Sequence, residues 1–337
     1  MSQPGRGKLL IYGATGYTGR MLAARAVAKG LDPIVAGRDS VKVEALAQRL
    51  GLESRCFAVD DAAALRAGLS GAGCVLNVAG PFSETAARVI AACIALRTHY
   101  LDTTGEVDVF AHAAARDADA RAAGIMLMPG VGWDVVPSDC IALHTALRVQ
   151  RPRRLRIVLC HLNGQPSRGT LRTGLAMQGK GVCVRRGGQL LQLTEEQPVR
   201  EFDFGAGIGK RRCAILSMGD LVTAWKSTAI PDIEVHMATG PRLTLPDGGI
   251  DAFPEGPTPA QLAAWRAFVL AEVAGDDGEV ARSLIETGSG YEYTAHAGIE
   301  IARRALAGDC KPGFQSPASA YGAALATGIG AVIRDLD

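Results

Sequence analysis

The sequence predicts an α/β fold, a doubly wound parallel sheet followed by a second α+β domain containing a mostly antiparallel sheet. Three observations lead there. Short apolar runs alternate with helical patterns through residues 8–130, and a glycine-rich turn joins the first run to the first helix. After Arg151 the alternation gives way to closely spaced strand-like runs.

Each element has a local cause. Lys8–Tyr12 is an apolar strand, and the helix Tyr17–Lys29 stops at Gly30. Pro33–Ala36 is the second strand. Asp39 or Ser40 caps the next helix, in which Val43, Leu46, Ala47 and Leu50 recur at helical spacing and Gly51 is the stop. Arg55–Val59 is the third strand, ahead of a helix over Asp61–Leu69. Cys74–Val78, Thr98–Leu101 and Ile125–Met128 complete six strands, with helices near Glu84–Arg97 and Val107–Ala123. Unbroken runs such as Leu9–Tyr12 and Ile125–Met128 suit a sheet covered on both faces. Beyond the basic junction Arg151–Arg154, strands are expected over Leu155–His161, Val182–Arg186, Gln189–Leu193, Val199–Phe204 and Ile233–Ala238. Gly187-Gly188 makes a hairpin turn. Helices are expected near Gly169–Met177, Asp220–Ser227, Pro259–Ala274 and Ala295–Ala307, and Thr239–Pro259 is a Pro/Gly-rich loop.

Composition narrows the classes. The chain has 337 residues, 48% hydrophobic and 21% charged, which suits a soluble chain of about two domains. Thirty-six basic against thirty-four acidic side chains exclude a nucleic-acid surface built on excess positive charge. The opening residues lack the apolar core of a signal peptide, and no apolar run is long enough to span a bilayer. A cytoplasmic protein with no membrane and no nucleic-acid partner is expected. Eight cysteines without CxxC spacing read as buried free thiols, and six histidines show no metal spacing.

Gly13-Ala14-Thr15-Gly16-Tyr17-Thr18-Gly19 follows the first strand and opens the first helix. Gly13 permits the tight turn, Gly16 admits a pyrophosphate to the backbone, and Gly19 lets helix and strand approach. The helix start offers N–H groups to the phosphates. An NAD site usually ends its second strand with Asp or Glu. Here Arg38 stands there, with Ser40 and Lys42 close by, a set that suits a 2′-phosphate. NADP(H) is therefore the preferred cofactor, with NAD(H) left open. Asp60 either faces the adenine or is a turn carboxylate.

Ligands of open α/β sheets lie outside the carboxyl ends of the strands. The fourth strand ends in Asn77, Ala79, Gly80 and Pro81, a loop that can run beside the cofactor, with Phe82 facing substrate. The fifth carries Tyr100, Asp102 and Glu106. The sixth carries Gly130, Trp133 and Asp134, and leads to Ser138-Asp139 as an N-cap pair. Tyr100, Asp102, Glu106 and Asp134 are the candidate proton donors; the carboxylates read equally well as turn and capping groups. Arg168 and Arg172, four apart on one helix face, could clamp a substrate carboxylate or phosphate. Lys180 is a weaker anion candidate, and His161, near Arg168, is the histidine that stands out. The glycine loop also resembles that of the extended short-chain dehydrogenases. None of the six tyrosines is followed four residues later by lysine, so their standard catalytic pair is excluded.

Taken together, GATGYTGR (13–20), AGR (36–38), NVAGPF (77–82), YLDTTGE (100–106), PGVGWDVVPSD (129–139), SRGTLRT (167–173), IPDIEVHMA (230–238) and GFQSPASAYG (313–322) resemble the saccharopine dehydrogenase-like oxidoreductases, relatives of the trans-acting enoyl reductases. The resemblance implies a Rossmann domain over residues 1–150 and a substrate and dimerisation domain over 151–294. It also implies a closing segment, 295–337, that returns to the first domain. The expected function is NADP(H)-dependent reduction of a C=N, C=C or C=O bond in a small or carrier-borne metabolite, by a homodimer. A non-catalytic NADP(H) sensor or regulatory subunit is the alternative.

Overall fold

The computed structural model describes residues 7–177, 179, 181–195, 197–205, 207–240, 247 and 249–336. Lys180 and part of the Thr239–Pro259 loop lie outside them. The chain divides into two compact units, Met1–Asp134 with Tyr291–Gln315, and Val135–Gly290 with Ser316–Asp337.

The first unit alternates strand and helix in the order β1 (Lys8–Tyr12), α1 (Tyr17–Ala28), β2 (Ile34–Gly37), α2 (Ser40–Leu50), β3 (Glu53–Cys56), α3 (Ala62–Leu69), β4 (Ala72–Asn77), α4 (Phe82–Leu96), β5 (His99–Asp102), α5 (Val107–Ala115), α6 (Asp117–Ala123) and β6 (Met126–Met128). The six strands lie in the order β6-β5-β4-β1-β2-β3, all parallel, and the two-residue strand Gly313–Phe314 adds a seventh beside β6. Leu10, Ile11, Val75, Leu76 and Leu101 are wholly buried, as a sheet covered on both faces requires. Asp39, rather than Ser40, caps α2 by accepting the Lys42 N–H at 3.1 Å, and Gly51 ends it at φ 69°. The single helix expected over Val107–Ala123 breaks at Arg116. The break leaves Asp117 accepting the Phe314 N–H at 2.7 Å, a contact that anchors the seventh strand.

The second unit is built on a nine-stranded sheet. Its main path runs Arg200–Asp203, Lys210–Ile215, Asp232–Ala238, Pro152–Leu162, Arg266–Gly275, Val280–Thr287 and Val332–Leu336. Among the described residues only Asp232–Ala238 and Pro152–Leu162 pair in parallel; the other ladders are antiparallel. The hairpin between Val182–Arg186 and Gln189–Leu193 turns on Gly187 and Gly188, at φ 53° and 80°, conformations that favour glycine. Helix Val136–Ala146 packs on strands Arg266–Gly275 and Val280–Thr287. Val158, Phe202, Phe204, Phe268, Leu270 and Leu284 come together in a buried hydrophobic cluster.

Two expectations fail here. The helix over Pro259–Ala274 is a helix only to Ala264; Trp265 turns extended, at φ −79° and ψ 130°, and Arg266–Gly275 is a strand. Its alanines mimic helical spacing, but pairing on both edges and burial of Phe268, Val269, Leu270, Ala271 and Val273 decide for the sheet. Ser138-Asp139 does not cap a helix start, because the helix already begins at Val136. Asp139 instead accepts the Ser227 hydroxyl and the Ala318 N–H, at 2.6 and 2.7 Å. Among the described residues no helix is long and apolar enough to cross a membrane, and no cluster of His, Cys, Asp or Glu could hold a metal. All eight cysteines are free, five of them buried and Cys56 exposed.

Phe268 sits on strand Arg266–Gly275, which is paired on both edges, and is wholly buried. Phe268→Ala should lower the unfolding free energy by about 3–5 kcal/mol in urea titration; an unchanged midpoint would contradict the burial of this strand.

Candidate cofactor site

β1 ends at Tyr12 and α1 begins at Tyr17, so the chain reverses over Gly13–Gly16. Gly13, at φ 84°, and Ala14 donate to the Ala36 carbonyl at 2.9 and 3.1 Å, which fastens the loop to the end of β2. A Cβ on Gly13 would stand 2.8 Å from the Ala79 nitrogen, and one on Gly19 would stand 2.3 Å from the Gly13 oxygen. Both positions need glycine for packing. Gly16 differs, since the nearest atom to a Cβ there is the Gly13 oxygen at 3.5 Å. The space above Gly16 is open. No side chain caps α1 and no acid stands in its first turn, whereas α2 and α3 are capped by Asp39 and Asp61. An uncapped start with open space over its glycine is the local geometry that receives an anion. Thr15, Tyr17 and Thr18 complete this turn, and all three are partly exposed.

At the ends of β2 and β3, Arg38, Ser40, Lys42 and Asp60 are exposed. Among the described residues the Arg38 guanidinium has no hydrogen-bond or ion-pair partner, while Lys42 pairs with Asp39 at 3.1 Å. Burial raises the pKa of Tyr12; the Arg38 charge pulls it back and Asp60 pushes it up, so both charges act on the same strand end.

The ends of β4, β5 and β6 are knotted by side chains. Asn77 accepts the Ala79 N–H at 3.1 Å and donates to Thr85 at 3.1 Å, and Thr85 returns a bond to the Ala79 carbonyl. The Gly80–Pro81 peptide that follows is cis, and Phe82 is buried at the start of α4. Both oxygens of the buried Glu106 accept backbone N–H groups of that helix, Phe82 at 2.8 Å and Ser83 at 3.0 Å. Asp102, wholly buried, accepts from Thr104 and Gly130 at 2.9 Å each and from the Tyr100 hydroxyl at 2.7 Å. Burial lifts the Asp102 carboxyl to about 6 against these bonds, and pushes the Tyr100 phenol well up. Gly130 takes the turn at φ 74°. Trp133 is buried, and its N–H donates to Thr294 Oγ1 at 2.9 Å. Asp134 reaches solvent, yet the protein crowded around it lifts its carboxyl to about 6.

The structure thus gathers the glycine loop, Arg38, Asp60, Asn77, Ala79, Tyr100, Asp102, Glu106, Gly130, Trp133 and Asp134 in the first unit. Arg168 and Arg172 belong to the second unit, on helix Arg168–Met177. The Arg168 N–H donates to the Glu255 carbonyl at 3.1 Å, and Arg172 is ion-paired with Asp251. His161 is held neutral, its pKa lowered to about 4 by burial, while its Nδ1 accepts from the Trp265 indole at 3.0 Å. Sequence reasoning missed Thr85, Thr104 and Thr294. Thr294 lies 161 residues from the amide it receives, so no local signal could have marked it.

Residues 9–128 match the family model described as the saccharopine dehydrogenase NADP binding domain. A Mycobacterium tuberculosis protein named as a trans-acting enoyl reductase is 32% identical over 156 residues, covering 42% of this chain and 36% of that one. A trans-acting enoyl reductase of Mycobacterium bovis is 30% identical over 145 residues, covering 39% and 33%. The chain thus spans about a third of the length of these curated relatives. Apo saccharopine dehydrogenase (L-Glu forming) from Saccharomyces cerevisiae superposes with a TM-score of 0.66 at 13% identity, over 98% of this chain and 100% of that one. Homospermidine synthase from Legionella pneumophila, solved in complex with NAD, gives 0.66 at 10% identity, over 96% and 89%. These two share the fold. Over residues 9–128, about a third of its length, the chain is thus similar to the saccharopine dehydrogenase NADP binding domain.

Proposed function

We propose that this protein is an NADP(H)-dependent oxidoreductase that reduces a C=N, C=C or C=O bond of a small or carrier-borne metabolite. The observation that carries the reading is the open face of Gly16 at the uncapped start of α1, between two glycines that packing requires. Arg38, whose guanidinium has no partner among the described residues, and Ser40 and Lys42 beside it suit the 2′-phosphate that distinguishes NADP(H) from NAD(H). The family of residues 9–128 and the names of the mycobacterial relatives support the reductase class, and those names also support a carrier-borne substrate. Free cysteines are in keeping with a cytoplasmic location. A homodimer through the second unit's sheet completes the proposal.

When bound, the cofactor supplies the hydride. The chain's own part is to hold, orient and protonate. Glu106 fixes the start of α4, and Asp102 with Tyr100 fixes the turn at Gly130, so these three act here as supports. Asp134 is then the acid with access to solvent, and a carboxyl near 6 keeps a fraction of its protons at neutral pH. Phe82 and Trp133 would wall the substrate side. A non-catalytic sensor is the second reading, favoured by the commitment of Tyr100, Asp102 and Glu106 to internal hydrogen bonds. Loss of NADPH absorbance with imine or unsaturated substrates supports the enzyme. Tight NADPH binding with no turnover on any of them supports the sensor.

Gly16→Val should weaken NADPH binding at least about a hundredfold while the melting temperature stays within about 3 °C, because the new side chain fills ligand space rather than protein space. Unchanged affinity in calorimetry would remove the cradle. Arg38→Asp should cost NADPH about a hundredfold and NADH less than about threefold; equal losses would contradict the 2′-phosphate assignment. With Asp134 as proton donor, turnover should fall as pH rises through about 6, since the protonated carboxyl is depleted. Asp134→Asn should lose that falling limb and about 10²–10⁴ of the rate. An unaltered profile in the variant would exclude the residue.

A further inference from the structure

Helix Gly290–Leu306 is remote in sequence from the glycine loop, yet Tyr291 onward belongs to the first unit. Tyr291, Thr294 and Gly298 recur at i, i+3 and i+7, which places them along one face of the helix. Each meets a different part of the site. The Tyr291 ring meets the Tyr17 ring edge-on, with centroids 5.1 Å apart and planes at 82°. Tyr17 is the first residue of α1, directly after Gly16.

Thr294 Oγ1 accepts the Trp133 N–H at 2.9 Å, and a Cβ on Gly132 would stand 3.0 Å from the same oxygen. Glycine at 132 lets the loop approach this hydroxyl. The residue after Trp133 is Asp134. Trp133 is 3% exposed, so its amide would have little access to water if the acceptor were removed. Gly298 sets the depth of the helix, since a Cβ there would stand 3.0 Å from Leu22 of α1 and 3.5 Å from Leu76 of β4. The helix therefore touches the phosphate-loop helix, the strand below it and the loop that carries Asp134.

We infer that helix Gly290–Leu306 is a working part of the cofactor site, with Tyr291 positioning the phosphate loop through Tyr17 and Thr294 positioning the Asp134 loop through the Trp133 amide. The inference rests on the dinucleotide reading above. The two contacts serve opposite ends of the ligand. β1 and β2 receive the adenosine side, and the β6 loop lies across β4 and β5 from them, on the nicotinamide side. The fold alone requires neither the hydroxyl at 294 nor the ring at 291 to act on one ligand end rather than the other. That asymmetry is the testable content.

Calorimetric titrations with NADPH and with 2′,5′-ADP, which lacks the nicotinamide half, separate the two contacts. Thr294→Val should weaken NADPH about tenfold and leave 2′,5′-ADP within about twofold, because it frees only the Asp134 loop. Thr294→Ser, which keeps the acceptor, should restore NADPH to within about twofold of the parent. Tyr291→Ala should weaken both ligands about tenfold, and Tyr291→Phe, which keeps the edge contact, should weaken neither. Parental affinities in Thr294→Val and Tyr291→Ala would overturn the inference while leaving the cofactor reading intact. Equal loss of both ligands in Thr294→Val, unrescued by serine, would reduce the contact to general stability and overturn it too. If the parent protein binds neither NADPH nor 2′,5′-ADP, the cofactor reading falls first and this inference with it.

Discussion

Where parallel strands end and the backbone turns back into helices, amide N–H groups are left without helical partners in a poorly hydrated place, and the structure settles several of them on carboxylates. Glu106 takes the first amides of α4, and Asp102 takes those of Thr104 and Gly130. Each bond is charge-assisted when the carboxylate is ionised, and each substitutes for water that the buried loop excludes. The arrangement fixes three loops relative to β4, β5 and β6. At the start of α1, as at α5 and α6, no side chain caps the helix, but there the space above Gly16 is open.

Holding loops with buried acids has an electrostatic cost. Asp102 and, in the second unit, Asp139 are both wholly buried, and both carboxyls are lifted from 3.8 to about 6 by desolvation. A folded-state pKa above the unfolded one means that the native state holds its proton more tightly. The cost therefore develops as pH rises from about 4 to 6 and is fully present above. It is tolerated because each carboxylate replaces acceptors that several donors would otherwise lack. Asp134 shares the upward shift but keeps contact with solvent, which separates a candidate for proton transfer from acids that serve the scaffold.

Sequence patterns located five of the six main parallel strands of the first unit closely, because each is a short apolar run bounded by a turn or cap; the third, expected over Arg55–Val59, runs Glu53–Cys56 and is polar. They failed where the deciding partner was distant. The run 266–275 carries alanines at helical spacing, and only the ladders on its two edges make it a strand. Lys210–Ile215, Val280–Thr287 and Val332–Leu336 went unread for the same reason, and Gly313–Phe314 is too short to show any period. The Val107–Ala123 helix broke because Asp117 is drawn to an amide 197 residues away.

By itself the sequence determined the glycine turn: Gly13, Gly16 and Gly19 between strand and helix, and Arg38 where an acid might have stood, are local facts set by backbone sterics and side-chain charge. Tertiary structure decided which candidate acids are buried. Asp102, Glu106 and Asp134 look alike in sequence as carboxylates in loops. They part only when folding buries the first two against specific amides and leaves the third in reach of water. It also decided that Thr294 and Tyr291 belong beside loops far earlier in the chain, since hydrogen bonds and ring contacts depend on distance in space and leave no periodic mark along the chain.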